Sequence, residues 1–257
     1  MIEIIKDEDL PRARAVGALV GGILQAMRER ASVGTNLLEI DAWTKEMVLD
    51  AGAVSCYVDY APSFGNGPFG HHICTAVNDA VLHGKPHDYV LADGDLLTLD
   101  LAVSLDGVVA DAAISFVVGS GTQEEQDLIE ATRAALAAGI AAVQPGGRVG
   151  DISQAIGTVL RNAGYRVNTE FGGHGVGSTM HQDPSIPNDG RAHHGARLRV
   201  GQLLAIEPWV MADTDELIFD ADGWTLRSAT GCLTAHTEHT VAVTRQGAEI
   251  LTAAPRP

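Results

Sequence analysis

Two aspartates on adjacent apolar segments are the first residues of this sequence that could do chemistry. Residues 93–116 predict two strands joined by a tight turn at Asp106-Gly107, with Asp100 on the first strand and Asp111 on the second. A two-residue turn places the aspartates on a diagonal, and a four-residue turn places them directly opposite each other. Both registers put them on one face of the hairpin, because side chains alternate along a strand. Carboxylates this close on an apolar surface resist ionisation unless a cation lies between them, and a solvated acidic face is the alternative.

Three further possible ligands follow in the second half of the chain. His174 lies in the glycine-rich stretch FGGHGVG, where the absence of side chains lets backbone approach a ligand closely. Glu207 follows the apolar stretch LLAI, and Glu238 lies within LTAHTEHTVAV. Each has an ordinary alternative, a loop histidine or a glutamate paired with a basic residue. With 17 Lys and Arg against 33 Asp and Glu, however, the chain offers few cationic partners to buried acids.

Four carboxylates and one imidazole predict a site for two divalent metal ions. Shared carboxylates hold such ions about 3.5–4 Å apart. One nitrogen among oxygen ligands favours Mn, Fe, Co or Zn over Mg or Ca, and the absence of a thiolate excludes a structural zinc site. An ion pair of this kind activates water and polarises a carbonyl, so hydrolysis is the predicted chemistry. The predicted ligands are Asp100, Asp111, His174, Glu207 and Glu238.

The elements that position these residues are predicted to form two similar halves. Residues 34–52 and 146–164 align at an offset of 112, with glycines and an Ile at matching places. An internal repeat of helix, helix and antiparallel strands implies an α+β fold with a shared central sheet and a cleft. We expect one catalytic domain over 1–257, with halves of about 1–120 and 121–257. The predicted helices span about 10–31, from Thr35 or Asn36 to Gly52, 122–142, and 151–164.

Composition narrows the partners and the compartment. A net charge of −16 without any Lys- or Arg-rich run excludes nucleic acid and anionic membrane as expected partners. Three scattered cysteines do not make a disulfide framework, so we expect a reducing cytoplasm, and we expect a monomer. The apolar segment 15–27 is interpreted as a helix and not as a secretory signal, because acidic residues precede it and charged residues follow it. No run approaches the roughly 20 apolar residues of a membrane span.

The motifs and their order resemble the type I methionine aminopeptidases, a family with a duplicated "pita-bread" fold. The resemblance covers almost the whole chain. It implies a dinuclear metallopeptidase that removes the initiator methionine from the N-termini of nascent proteins and peptides whose second residue is small. It rests on the segments Ile73–Gly84, GGHGVG around His174, Met180-His181, Ile186-Pro-Asn188, Ile206-Glu-Pro208, Trp224 and Thr237-Glu-His239, together with the two aspartates.

The resemblance also implies a role for each predicted ligand. Asp100 would chelate one ion, and Asp111 and Glu238 would bridge both ions. His174 and Glu207 would complete the coordination of the other ion. Glu207 would also carry the proton during hydrolysis.

Substrate-binding roles are implied for a second group of residues. His83 and His181 correspond to two histidines that are not metal ligands and that contact the scissile amide and the substrate backbone. Trp224 and Cys74 match positions beside the pocket for the methionine side chain. Met180 replaces the usual aromatic residue before the second histidine, and a flexible thioether can still line an apolar pocket.

The segment 60–72 departs from the family, because it is longer than the corresponding stretch of its relatives. We expect it to fold over the pocket and to supply an aromatic wall, with Phe69 preferred because it is nearest to Cys74 in sequence. The candidates for that wall are Tyr60, Phe64 and Phe69. Gln182-Asp183 replaces the acidic pair that the family has after the second histidine.

Two other functions compete with this expectation. The departures at 60–72 and at Met180 are compatible with a related metallo-aminopeptidase of altered specificity, such as one that prefers Xaa-Pro. A non-enzymatic pita-bread binding protein is disfavoured, because such relatives typically lose metal ligands and all five are present here. We also expect no zinc-binding N-terminal extension, no extra N-terminal domain of the creatinase and prolidase kind, and no type II helical insert between Glu207 and Glu238.

Overall fold

Four helices and fourteen strands make up the part of the chain that the computed structural model describes, residues 2–63 and 65–254. The helices are α1 (Leu10–Arg30), α2 (Leu37–Asp50), α3 (Gln123–Ala141) and α4 (Val149–Asn162). The strands are β1 (Val54–Ser55), β2 (Cys74–Val77), β3 (Ala80–Leu82), β4 (Leu96–Leu105), β5 (Val108–Val117), β6 (Gly172–Val176), β7 (Gln182–Pro187), β8 (Leu203–Ile206), β9 (Trp209–Met211), β10 (Leu217–Phe219), β11 (Leu226–Ser228), β12 (Thr234–His236), β13 (Glu238–Thr244) and β14 (Gly247–Ile250).

The repeated sequence forms the second helix of each half, α2 and α4. The predicted capping box of α2 is confirmed: Asn36 Oδ1 accepts the Leu38 N–H, and Glu39 accepts the Asn36 N–H at 2.9 Å. The prediction that Asp151 begins α4 is wrong, because α4 begins at Val149. Asp151 is instead the third helical residue, and its carboxylate accepts the Arg148 N–H at 2.8 Å, as Glu39 does in α2.

The central hairpin has the two-residue turn. β4 and β5 pair so that Asp100 lies opposite Ala113 and Ala102 lies opposite Asp111. Asp106 and Gly107 have φ values of 50° and 75°, as the favoured two-residue hairpin turn requires. The four-residue register is therefore wrong, and the two aspartates are diagonal neighbours on one face.

A nine-stranded antiparallel sheet joins the two halves. Its order is β1-β4-β5-β13-β8-β6-β7, with β2 added beside β4 and β14 beside β13. The crossing from the first half to the second occurs between β5 and β13, where Glu238 pairs with Ala113. Strands from both halves thus bring their side chains to one continuous face.

Each half has its own hydrophobic core. The first contains buried side chains of α1, α2, β4 and β5, and the second contains buried side chains of α3, α4, β8 and β13. The apolar segment 15–27 lies within α1, as predicted, with Val16, Val20, Ile23 and Met27 fully buried. In the described residues, no helix combines the length and the apolar character needed to cross a membrane.

Candidate active site

One cavity of about 410 Å³ brings together every site residue that the sequence singled out and the structure describes. Its lining combines metal-ligand candidates with apolar and aromatic side chains. Its lining includes Cys74, Phe69, His83, Asp100, Asp111, His174, Met180, His181, Glu207, Trp224 and Glu238. Phe64, another predicted wall residue, lies outside the described residues.

Sheet register explains why residues distant in sequence meet here. Asp100 on β4 and Glu238 on β13 both lie opposite Ala113, on either side of β5. Paired residues of antiparallel strands share a face, so the two carboxylates form a row across three strands. Asp111 lies two residues before Ala113 and therefore points to that face as well. Its position is fixed by a reciprocal contact, in which the Asp111 N–H donates to Thr240 Oγ1 at 2.8 Å and the Thr240 hydroxyl donates to the Asp111 carbonyl at 2.7 Å.

The second half adds an imidazole and a glutamate to this face. His174 on β6 lies opposite Ala205 on β8, and Glu207 follows β8 directly. His174 Nδ1 is 3.0 Å from the Gly175 carbonyl, which accepts its proton and leaves Nε2 as an acceptor. That Nε2 atom is 3.5 Å from Glu207 Oε1 and 3.9 Å from Asp111 Oδ2. A backbone hydrogen bond to the other ring nitrogen is the usual support of a metal-binding histidine.

These residues fit a divalent metal ion. One potential ligand atom from each of Asp111, His174 and Glu238 lies within 4.8 Å of the others. Glu238 Oε1 is buried without a hydrogen-bond partner in the described part of the chain. Desolvation by burial raises the pKa of Asp100 to about 6 and raises the pKa values of Asp111, Glu207 and Glu238 well above those of exposed carboxyls. A cation among these oxygens would supply the missing charge and the missing contact.

Two histidines that the sequence assigned to substrate stand beside the carboxylates. His83 has a positive φ of 55°, and desolvation lowers its pKa to about 4. Burial likewise lowers the pKa of His181, whose Nδ1 is 3.0 Å from the Tyr60 hydroxyl. The ring centroids of His181 and His174 are 4.4 Å apart. Burial therefore favours the neutral form of both imidazoles.

The unusual segment 60–72 folds against the apolar side of the cavity. The Phe69 N–H donates to the Tyr60 carbonyl at 2.9 Å, which closes the segment into a loop. The Asn66 N–H donates to the Gly223 carbonyl at 3.3 Å, so the loop docks beside Trp224. Phe69, 2% exposed, meets Trp224 edge-to-face with ring centroids 5.1 Å apart. The loop thus places the ring of Phe69 against Trp224 in the cavity lining.

Two residues that sequence reasoning missed also face the carboxylates. The Tyr57 hydroxyl lies 2.6 Å from Asp100 Oδ1. His236 is 1% exposed, and its Nε2 lies 3.8 Å from Glu207 Oε2 and 3.9 Å from Glu238 Oε2. The spacing of His236 two residues before Glu238 in an extended segment could have revealed it, because both side chains share a face. Tyr57 gave no such signal, since it follows a strand of only two residues.

Comparison with known proteins identifies the family of this chain. The chain belongs to metallopeptidase family M24, whose model matches residues 12–245. It is 41% identical over 251 residues to methionine aminopeptidase 1 of Mycobacterium tuberculosis, covering 95% of this chain and 92% of that protein. It is 35% identical over 254 residues to the methionine aminopeptidase of Aquifex aeolicus, covering 98% of both.

Solved structures define the fold class. The methionine aminopeptidase of Rickettsia prowazekii superimposes with a TM-score of 0.93 at 32% identity, covering 98% of this chain and 100% of that one. The prolidase of Pyrococcus furiosus, at 21% identity and a TM-score of 0.75, shares the fold. That match covers 98% of this chain and 66% of the prolidase chain. The predicted duplicated pita-bread fold is confirmed, and family membership together with the ligand cluster supports the use of a divalent metal.

Proposed function

We propose that this protein is a type I methionine aminopeptidase, which hydrolytically removes the N-terminal methionine from nascent proteins and peptides with a small second residue. The observation that carries the proposal is the single cavity in which the Asp111–His174–Glu238 cluster faces an apolar, aromatic wall. Relatives named methionine aminopeptidase match over nearly the whole chain, which adds support.

The metal centre is proposed to hold two divalent ions, drawn from Mn, Fe, Co and Zn. Asp100 would hold one ion, Asp111 and Glu238 would be shared by both ions, and His174 and Glu207 would complete the site of the second ion. The position of Asp111 and Glu238 between the other ligands in the sheet supports their shared role. When bound, the ions supply Lewis acidity, which lowers the pKa of water and polarises a carbonyl.

Glu207 is proposed as the residue that takes and returns the proton. Its carboxylate lies on the cavity surface beside His174, and burial raises its pKa. A carboxylate with a raised pKa holds a proton more readily at neutral pH than an exposed one does, which suits a group that must first accept and then donate.

His181 and His83 are proposed to hold the scissile amide in place. If the Tyr60 hydroxyl donates to His181 Nδ1, the ring proton lies on Nε2, which can then donate to a substrate carbonyl oxygen. Both imidazole rings are favoured in the neutral form. A neutral ring can donate a hydrogen bond to the amide without adding positive charge beside the metal ions.

The apolar wall is proposed to bind the methionine side chain. Phe69, Trp224, Cys74 and Met180 line the cavity together, and a long unbranched thioether fits such a surface. The carboxylates and histidines crowd the position of the next residue, so a small side chain is expected there.

The remaining parts of the proposal concern organisation and setting. We propose a single catalytic domain whose halves are 1–120 and 121–257, acting as a monomer in the cytoplasm on polypeptide N-termini. The two cores joined by one sheet support the domain assignment. Cys56, Cys74 and Cys232 are all free, as a reducing compartment would keep them.

A peptide panel tests the proposed specificity. Metal-free protein reconstituted with Mn²⁺, Fe²⁺, Co²⁺ or Zn²⁺ should cleave Met-Ala-Ser and leave Met-Leu-Ser, and Xaa-Pro peptides whose first residue is not methionine, largely uncut. Faster release from Xaa-Pro peptides would replace this proposal with the altered-specificity alternative. Undiminished turnover of Met-Ala-Ser after complete metal removal would reject the metallopeptidase mechanism.

A further inference from the structure

Tyr57 is in direct contact with the carboxylates of the first half of the site. Its hydroxyl is 2.6 Å from Asp100 Oδ1 and 3.3 Å from Asp111 Oδ1, and the residue is 7% exposed. A phenol has one proton to donate, and the shorter distance identifies Asp100 as its principal acceptor. The hydroxyl therefore points at the residue proposed to chelate one metal ion.

The backbone and the ring of Tyr57 are both held in place. The preceding residue, Cys56, donates its N–H to the Ala102 carbonyl at 3.0 Å, and the Tyr57 N–H donates to Ser55 Oγ at 3.2 Å. The ring packs edge-to-face on Phe69, with centroids 5.7 Å apart. A hydroxyl on so constrained a ring can fix the side chain that it contacts.

Asp100 has few other means of orientation. Its carboxylate also contacts the acidic side chain of Asp111, and among the described residues no Lys, Arg or His lies within ion-pair distance of it. A basic side chain in place of Tyr57 would neutralise Asp100 and compete with a metal ion for its oxygens. A phenol orients the carboxylate through a hydrogen bond without adding positive charge.

We propose that Tyr57 is a positioning residue of the metal centre, which fixes the rotamer of Asp100 by hydrogen bonding to Oδ1 and thereby strengthens metal binding. The inference rests on the proposed function only in taking Asp100 as a metal ligand. Hydrogen-bond partners of ligating carboxylates typically change metal affinity by about 10- to 100-fold when they are removed.

The test compares two tyrosine-to-phenylalanine variants. Tyr57→Phe deletes one oxygen and keeps the ring that packs on Phe69. Tyr89→Phe is the matched control, because the Tyr89 hydroxyl donates to the buried carboxylate of Asp95 at 2.9 Å, and neither residue lines the active-site cavity. Circular dichroism and thermal melting of each metal-free variant establish that it is folded.

Titration calorimetry of the metal-free proteins with Mn²⁺ gives the decisive measurement. We expect Tyr57→Phe to weaken binding at one site by about 10- to 100-fold and Tyr89→Phe to leave binding unchanged. Excess Mn²⁺ should restore Met-Ala-Ser hydrolysis in Tyr57→Phe. It would not restore hydrolysis if the defect were purely structural. The visible absorption of the Co²⁺-substituted protein should change in Tyr57→Phe and not in Tyr89→Phe.

Three results would overturn the inference. Parent-like Mn²⁺ affinity in Tyr57→Phe would show that the hydroxyl only satisfies a buried acid. An equal loss of affinity in Tyr89→Phe would show a general effect of losing a buried hydrogen bond. A tyrosinate-to-metal charge-transfer band in the Fe³⁺ form, absent from Tyr57→Phe, would make Tyr57 a ligand instead. Because affinity is measured without substrate, a Tyr57-dependent metal site without Met-Ala-Ser cleavage would reject the proposed function and retain this inference.

Discussion

The two sides of the active-site cavity are built in different ways. The carboxylate side is placed by the register of the central sheet, where Asp100, Ala113 and Glu238 form a row across β4, β5 and β13. The aromatic side is placed by a loop, since Phe69 reaches Trp224 because residues 60–69 close on themselves and dock at Gly223. A sheet row tolerates little change without loss of pairing, whereas a loop can change length and still deliver a ring. Changes on the two sides should therefore affect different kinetic constants.

The largest effect is expected from removing a bridging charge on the carboxylate side. Asp111→Asn or Glu238→Gln keeps size while deleting an anionic oxygen proposed to be shared by two ions. We expect kcat for Met-Ala-Ser to fall by about 10³-fold or more, because removal of an essential catalytic group typically lowers kcat by that much. Metal content measured by atomic absorption should fall with it.

The surface variant Glu249→Gln is the control for this experiment. Glu249 forms an ion pair with Arg14, and it lies outside the cavity. Its loss should leave both kcat and metal content unchanged. Full activity in either bridging variant would remove that residue from the metal centre.

Glu207→Gln separates proton transfer from metal retention on the same side. The amide keeps the shape of the side chain and one oxygen for the metal but cannot accept a proton, so kcat should fall by about 10²-fold or more. We expect less metal loss than in Glu238→Gln, because Glu207 is proposed to contact only one ion. If kcat of Glu207→Gln depends on pH in the same way as kcat of the parent protein, Glu207 does not transfer the proton.

A change on the aromatic side should act on substrate affinity alone. Phe69→Ala removes a buried ring from the pocket wall, and we expect KM for Met-Ala-Ser to rise and kcat/KM to fall by about 5- to 200-fold. At saturating Mn²⁺ the metal content should stay at the parent value, so that loss of the contact between Phe69 and Tyr57 does not affect the comparison. Phe219→Ala is the matched control, because that phenylalanine is 54% exposed and should have no effect.

The placement of the loop is contradicted by one combination of results. If both Phe64→Ala and Phe69→Ala leave kcat/KM unchanged, the segment 60–72 does not form the wall of the working pocket. Such a result would also weaken the contrast between the two sides, because the loop would then serve only to cover the sheet.

The smallest expected effect concerns stability and pH. Asp100 has a pKa of about 6 in the folded metal-free protein against about 3.8 in an unfolded chain, so its contribution to stability is present below about pH 4 and is lost as the pH rises through 6. Metal binds the ionised carboxylates and removes this penalty. The increase in Tm caused by Mn²⁺ should therefore be greater at pH 7.5 than at pH 5, as scanning calorimetry would measure. An equal or smaller increase at pH 7.5 would show that the acids do not gain protons in the metal-free protein.

Sequence reasoning succeeded where a local pattern had one physical meaning. The Asp106-Gly107 turn predicted the hairpin but left two registers open, and the repeat at an offset of 112 predicted one matching helix in each half, α2 and α4. It misplaced the start of α4, because Asp151 suits the first helical turn as well as the position before it. The same residue type satisfies both positions, so composition alone could not separate them.

By itself, the sequence determined the helices, the hairpin, the duplicated plan and the five metal-ligand candidates, since each depends on periodicity, turn chemistry or charged residues in apolar strands. Only the tertiary structure decided how those candidates meet, because the pairing of β13 with β5 joins segments more than a hundred residues apart. It alone also decided the contacts of Tyr57 and of the segment 60–72. Those contacts depend on the direction of a side chain leaving a loop or a strand end, which no periodic pattern encodes.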